Sequence, residues 1–88
     1  MKAIWKFPLK IVDVQTISAP RGATPLCVHA QNDEPQLWAL VTPSNDREEI
    51  RVRTYGTGHA IVDDPGKYLG TYQVNGGAFV FHVFEAQS

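Results

Sequence analysis

The sequence predicts an all-β fold: a compact antiparallel sandwich or small open barrel of about seven strands, with little or no helix. Short apolar stretches with strand-like alternation recur along the chain, and turn-forming residues separate them at close intervals. No segment shows the apolar spacing of an amphipathic helix. The 88 residues, 43% of them hydrophobic and 19% charged, suit a single domain over residues 1–88 with one core.

Four strands are predicted in the first half of the chain, at residues 3–7, 11–18, 25–31 and 36–42. Pro8 cannot donate a ladder hydrogen bond, so the first strand ends there or lies at a sheet edge. The third and fourth strands flank residues 32–35, whose composition is typical of a hairpin connection. In the third strand, alternation places Leu26, Val28 and Ala30 on one face.

Three further strands are predicted in the second half, at residues 50–55, 68–74 and 78–84. Residues 43–49 are polar and carry too little apolar periodicity for a helix. Asn75–Gly77 is the strongest hairpin signal in the chain, because Asn-Gly favours the tight turns that join adjacent strands. His82 is interpreted as a sheet histidine with hydrogen-bond partners rather than as a metal ligand.

The last predicted strand, residues 78–84, is apolar on both faces. A domain of this size has one core, so the second face needs another sheet or another subunit. Small domains are often stabilised by disulfides, but Cys27 is the only cysteine and no disulfide forms within the chain. We therefore expect a homo-oligomer.

Composition also limits the partners. A net charge of −1 gives no general attraction to a nucleic-acid polymer. The chain has no apolar stretch of about 18 residues, so no membrane span is expected, and its first residues do not resemble a signal peptide. A single free cysteine fits a reducing compartment, and we expect the protein in the cytoplasm.

Gly56, Thr57, Gly58 and His59 form a glycine-rich loop after the fifth strand. Glycines can turn backbone N–H groups inward to hold an anion, and arginines precede this loop while Lys67 follows it. No helix follows the glycines, so the pattern is neither a P-loop nor a dinucleotide fingerprint. A plain turn between strands is the alternative interpretation.

Residues 63–66, Asp-Asp-Pro-Gly, have the composition of a turn, although adjacent carboxylates can also bind a hard cation. Cys27 and His29 share a strand face, but their spacing does not match a zinc motif. His59 with Asp63 or Asp64 is the one candidate acid–base pair, for hydrolysis of a bound ligand. The sequence assigns no catalytic residue, metal ligand or cofactor, and a binding protein is favoured over an enzyme.

Five segments together resemble a family of small, mostly uncharacterised proteins encoded by phages and prophages. They are WK at residues 5–6, LWALV at 37–41, YGTGH at 55–59, PGKYLGT at 65–71 and GGAFVFHVFE at 76–85. The resemblance implies a small accessory protein in an infected cell. Some small phage proteins with this profile are oligomeric sponges that bind a host immune signalling nucleotide without cleaving it. This likeness is one of class and carries over no binding residue.

The leading hypothesis is therefore a homo-oligomer that binds a small anionic nucleotide and releases it unchanged. Backbone amides, cationic side chains and aromatic rings are the groups that hold nucleotides. The candidate residues are Gly56, Thr57 and Gly58 for amides, Arg51, Arg53 and Lys67 for charge, Tyr55, Tyr68 and Trp38 for stacking, and His59 as a donor. The alternative is a protein–protein interaction module without a small ligand, which docks through an apolar sheet face or an exposed edge strand.

Overall fold

The computed structural model describes residues 1–86, which form seven β-strands and one short 3-10 turn, Asn75–Gly77. The strands are β1 Ala3–Pro8, β2 Val14–Pro20, β3 Thr24–Gln31, β4 Glu34–Val41, β5 Arg47–Gly56, β6 Lys67–Val74 and β7 Phe79–Glu85. Sheet A has the order β1-β4-β3 and sheet B the order β2-β5-β7-β6, with every pairing antiparallel. The prediction of an all-β fold is confirmed, and of its two forms, a sandwich or a small open barrel, the structure has the antiparallel sandwich; neither sheet closes into a barrel.

The core lies between the two sheets and is built from alternate residues of their strands. Leu37 of sheet A belongs to the same hydrophobic cluster as Val52 and Val83 of sheet B, and all three side chains are fully buried. Burying an aliphatic side chain of this size contributes about 1.5–3 kcal/mol, so these positions stabilise the packing of one sheet on the other. The predicted alternation in β5 is confirmed, because Ile50, Val52 and Thr54 all point inward.

Of the two predicted hairpin connections, the one between β3 and β4 is shorter than expected and the one between β6 and β7 is as expected. The connection between β3 and β4 was expected over residues 32–35, but Glu34 and Pro35 already belong to β4. The turn consists of Asn32 and Asp33, whose φ angles of 52° and 66° are those that a two-residue type I′ hairpin requires. The Asn75–Gly77 connection between β6 and β7 is confirmed as a hairpin.

Two expectations about strands were wrong in detail. β2 begins at Val14 rather than at residue 11, and Ile11 and Val12 lie exposed in the bend before it. Leu26 does not share the inner face with Val28, because a β-bulge between Pro25 and Cys27 shifts the register and leaves Leu26 49% exposed. Neither a bulge nor a strand start has a strong local sequence signal.

The position of Pro8 matches the prediction, since it is the last residue of β1 and β1 is an edge strand of sheet A. The edges of β3 and β6 lie against each other on one side of the sandwich, whereas β1 and β2 are the edges on the other side. Within residues 1–86, no helix has the length and hydrophobicity needed to cross a membrane.

Candidate functional site

The glycine-rich loop is a tight turn at the end of β5. The His59 N–H donates to the Gly56 carbonyl at 3.1 Å, and Gly58 has a φ of 87° at the third position, as in a type II turn. The Thr57 N–H donates to the Val80 carbonyl at 3.3 Å. Of the three amides predicted to face an anion, that of Thr57 is thus engaged in a hydrogen bond of the fold itself.

A groove of about 320 Å³ lies beside this turn. β5 continues to Gly56 while β2 begins only at Val14, opposite Arg53, so the end of β5 extends beyond its neighbour and leaves a notch. The Thr54 N–H donates to the Asp13 carbonyl at 2.9 Å and fixes one wall. The lining residues are Asp13, Val14, Arg53, Thr54, Tyr55, His59 and Ala60.

The His59 ring folds back over Gly56. A β-carbon placed on Gly56 would lie 2.8 Å from His59 Cε1, which is closer than real contacts allow. Gly56 therefore provides the space in which the imidazole lies. His59 lines the groove together with Asp13 and Arg53.

An aromatic cluster lies next to the groove on the outer face of sheet B. Phe84 is at its centre, with ring centroids 5.8 Å from Tyr55 and 5.5 Å from Tyr68. Both pairs meet edge to face, at 73° and 65°, which is a favoured geometry for aromatic rings. Tyr68 is 55% exposed, so part of this surface is accessible to a ligand.

A hydrogen-bonded line of polar groups crosses the same face. His82 Nε2 is 2.7 Å from Thr57 Oγ1, and His82 Nδ1 is 3.0 Å from Thr71 Oγ1. Thr71 Oγ1 also shares a hydrogen bond with the Tyr68 hydroxyl. In a neutral imidazole one nitrogen donates and the other accepts, so the two threonines hold the ring in a fixed orientation. The interpretation of His82 as a hydrogen-bonded sheet histidine is confirmed.

The structure brings most of the predicted site residues together. Arg53, Tyr55 and His59 share the groove, and Tyr55 and Tyr68 meet through Phe84. Gly56, Thr57 and Gly58 form the turn that carries His59, and Thr57 continues into the polar line. The roles assigned to these residues in binding stay predictions.

Three predicted residues lie further out. Arg51 lies on the same face of β5 as Arg53 and is opposite Thr16 of β2. Lys67 is exposed at the start of β6, opposite Glu85. Trp38 is in sheet A, where its ring stacks on His29 with centroids 5.5 Å apart, so it lies on a different surface from Tyr55.

Sequence reasoning missed the contributions of Asp13, Thr71, His82 and Phe84 to this surface. Asp13 was placed inside a predicted strand, and Phe84 belonged to a strand whose second face was expected to meet another sheet or another subunit. A signal for Thr71 was present: counting outward from the Asn75–Gly77 turn pairs Val74 with Phe79 and therefore Thr71 with His82. The presence of Asp13 and His59 in one groove brings distant segments together and has no such signal.

The Asp63–Gly66 segment adopts the turn that its composition favours. Asp64 Oδ1 accepts a hydrogen bond from the Gly66 N–H at 2.9 Å, and Gly66 has a φ of 99°. Neither Asp63 nor Asp64 lines the groove with His59. Within residues 1–86, no cluster of three or more histidine, cysteine or acidic side chains could hold a metal ion.

Comparison with known proteins gives one assignment. No curated protein and no solved structure matches the chain. The model of a domain of unknown function, DUF7352, matches residues 1–88, and the chain therefore belongs to the DUF7352 family.

Proposed function

We propose that the protein binds a small anionic nucleotide at the groove and the adjoining aromatic face of sheet B, and releases it unchanged. The observation that carries this proposal is that Arg53 and Tyr55 belong to both surfaces. Each lines the groove, Arg53 lies directly opposite Phe84 in the β5–β7 ladder, and Tyr55 contacts the Phe84 ring.

The aromatic face supplies the contact for a base. Stacking of a base on an aromatic side chain is worth about 1–3 kcal/mol and tolerates different bases. Tyr68 is the accessible ring, and its hydroxyl is fixed by Thr71. Because the polar line through His82 lies on the same face, it offers hydroxyl groups to the edge of a base or to a ribose.

The groove supplies the contact for a phosphate. Arg53 can hold phosphate oxygens bidentately, which is among the strongest hydrogen-bonded pairs in proteins. His59 faces the same space and can donate to another phosphate oxygen. The Asp13 carboxylate in this groove repels a second phosphate and instead accepts from a ribose hydroxyl or an exocyclic amine, which favours a ligand with a single buried phosphate.

The placement of the acidic residues supports release without cleavage. The hydrolytic alternative needed His59 with Asp63 or Asp64, but these carboxylates lie outside the groove, and Asp64 is bonded to the Gly66 amide. Asp13 is the acidic residue that lines the groove with His59, and the hydroxyl groups of the lining belong to Thr54, whose side chain is buried, and Tyr55, whose ring packs against Phe84. This arrangement supports a binding protein.

Homo-oligomerisation belongs to the same proposal. The outer face of sheet A carries Ile4, which is 63% exposed, beside Leu40, and Trp38 lies on the same face. The Trp38 indole N–H is buried and has no acceptor among residues 1–86. A second copy that covered this face would bury apolar area that a small domain otherwise leaves in water.

The biological setting that we propose follows the resemblance to phage and prophage proteins. In it the protein acts in the cytoplasm of an infected cell and withholds a host signalling nucleotide from its effector. Size-exclusion chromatography with light scattering tests the assembly: we expect an oligomer, and Ile4→Glu should dissociate it. A wild-type monomer at micromolar concentration would contradict this part of the proposal.

The binding proposal is tested by calorimetry against cyclic dinucleotides, ADP-ribose derivatives and mononucleotides. We expect heat with at least one of them, and Arg53→Gln and Tyr68→Leu should each weaken binding about tenfold or more, through the phosphate and the base respectively. Arg21→Gln is the matched control, since Arg21 is exposed and faces Asp46 at 3.9 Å instead of the groove. No heat with any compound, or equal effects of Arg53→Gln and Arg21→Gln, would refute the proposal. Recovery of the ligand intact separates binding from hydrolysis.

A further inference from the structure

The free edge of β2 has unpaired backbone groups. The hydrogen bond from the Thr54 N–H to the Asp13 carbonyl identifies these two residues as a bonded pair of the β2–β5 ladder. Bonded and non-bonded pairs alternate along an antiparallel ladder. Val14, Thr16 and Ser18 therefore direct their N–H and C=O groups away from β5, toward the side where sheet B ends.

The other three strand edges are covered or protected. The β3 and β6 edges lie against each other, with Gly70 touching the Val28 backbone. On β1, the Leu9 N–H donates to the Pro35 carbonyl, so these two residues form a bonded pair. By the same alternation, Ile4, Lys6 and Pro8 direct their backbone groups away from β4, toward the free edge. Lysine and proline are the residues that natural edge strands use to prevent further pairing.

On β2 such protection is confined to the last residue, Pro20, which also faces outward by this alternation. The segment from Val14 to Ser18 contains neither proline nor lysine. Within residues 1–86, one hydrogen bond from another element reaches these outward groups. Arg47 Nη1 donates it to the Ser18 carbonyl at 3.1 Å. The outward N–H and C=O groups of Val14 and Thr16 remain open to a strand that approaches along this edge.

Charge beside the edge identifies the kind of strand that fits. On the outer face of β5, Arg53 lies opposite Val14 and Arg51 opposite Thr16, while Glu49 opposite Ser18 is the one carboxylate in this row. Arg47 adds a guanidinium at the edge itself, held by its contact with the Trp5 ring at 5.6 Å. An added strand lies about 10 Å from β5, within the combined reach of an arginine and a glutamate side chain across the small Thr16.

A second copy of this chain fits the edge less well than an acidic strand. Antiparallel pairing of two β2 strands centred on Thr16 would place Glu49 of each copy in a row with Arg53 of the other, but would leave the two Arg51 guanidinium groups in a row without a carboxylate. An added strand with acidic residues on this face supplies a carboxylate to Arg51 and to Arg53 alike. We propose that the β2 edge binds an extended acidic segment of another protein by strand addition, a mode in which backbone bonds give affinity and side chains give specificity.

The test uses the full-length protein and a synthetic peptide in which glutamate alternates with valine. Amide hydrogen exchange, followed by NMR, gives the signature of this mode. We expect the Thr16 amide to exchange at least about tenfold more slowly when peptide is bound, because it becomes a ladder donor. The amides of Gln15 and Ile17 are already bonded to β5 and should not change. Unchanged exchange at Thr16 with up to about 1 mM peptide would overturn the proposal.

Three protein variants and one peptide variant complete the experiment. Thr16→Pro removes the outward amide without removing a β2–β5 bond and should abolish binding, whereas Thr16→Val keeps the amide and should bind like wild type. Arg51→Glu should weaken binding about tenfold. Wild-type exchange data keep the test decisive if Thr16→Pro fails to fold. Equal binding of a peptide with lysine in place of glutamate would exclude the acidic partner, and protection of Thr16 by self-association without peptide would assign the edge to a second copy.

Discussion

Gly70 of β6 lies directly against the backbone of Val28 in β3. A β-carbon on Gly70 would be 2.8 Å from the Val28 nitrogen and closer still to its carbonyl oxygen. This contact joins an edge of sheet B to an edge of sheet A without a shared ladder. It closes one side of the sandwich and leaves β1 and β2 as the edges that face solvent, so the same contact determines which edge is open to a partner.

Gly70→Ala should therefore be strongly destabilising. Because the neighbouring atoms are backbone, they cannot rotate away, and we expect the free energy of unfolding to fall by about 3 kcal/mol or more. Gly76→Ala is the control. Gly76 has a φ of 68° and no heavy atom near its missing β-carbon, so only conformational strain of about 1 kcal/mol applies. Urea denaturation measures both, and equal losses would show that Gly70 is not needed for close packing.

Gly58 should tolerate asparagine better than alanine. Its φ of 87° at the third position of the turn suits glycine or asparagine, whereas alanine pays a steric cost of about 1–2 kcal/mol. Since no atom lies near the missing β-carbon, the loss reports backbone strain alone. We expect Gly58→Ala to lower stability by this amount and to displace His59 from the groove, and Gly58→Asn to do neither. NMR shifts of the His59 ring measure the displacement, and identical spectra for wild type and Gly58→Ala would contradict it.

Local patterns predicted the strands well, because alternation and turn chemistry act within a few residues. The β5 alternation and the Asn75–Gly77 hairpin followed from such patterns and are confirmed. The bulge that exposes Leu26 and the packing of Gly70 on Val28 depend on how the two sheets pack against each other. A pattern of residues within one strand does not predict that packing. The same limit applies to the site, where the turn with His59 was identified but Asp13, which lines the same groove, was not.

The two threonines on His82 should act as a unit. Thr57→Val and Thr71→Val each remove one hydrogen bond to the ring, and we expect each to cost about 1 kcal/mol of unfolding free energy. Once one hydroxyl is lost the ring is no longer fixed, so the double variant should lose less than the sum, with a coupling of about 0.5 kcal/mol or more. Thr16→Val, on the exposed edge strand of the same sheet, is the control and should be nearly neutral. Additive losses in the cycle would show that the two hydroxyls act independently.

Tyr72→Phe should stabilise the protein, increasingly so at alkaline pH. The Tyr72 hydroxyl is buried and has no partner among residues 1–86, so its removal ends a desolvation cost and should raise the unfolding free energy by about 1 kcal/mol. Burial also raises the pKa of Tyr72 above its ordinary value of 10.0. Above that pH the unfolded chain releases a proton that the folded chain keeps, so wild-type stability is full below it and falls as the pH rises.

Tyr72→Phe lacks this titration, and its advantage over wild type should therefore grow between about pH 9 and about pH 11. Urea denaturation of both proteins across this range measures the difference, which cancels contributions from other groups. Tyr68→Phe is the matched control at neutral pH, because the Tyr68 hydroxyl is hydrogen bonded to Thr71 and its loss should destabilise the protein. An advantage of Tyr72→Phe that stays constant with pH would mean that the buried phenol ionises as readily in the folded chain as in the unfolded one.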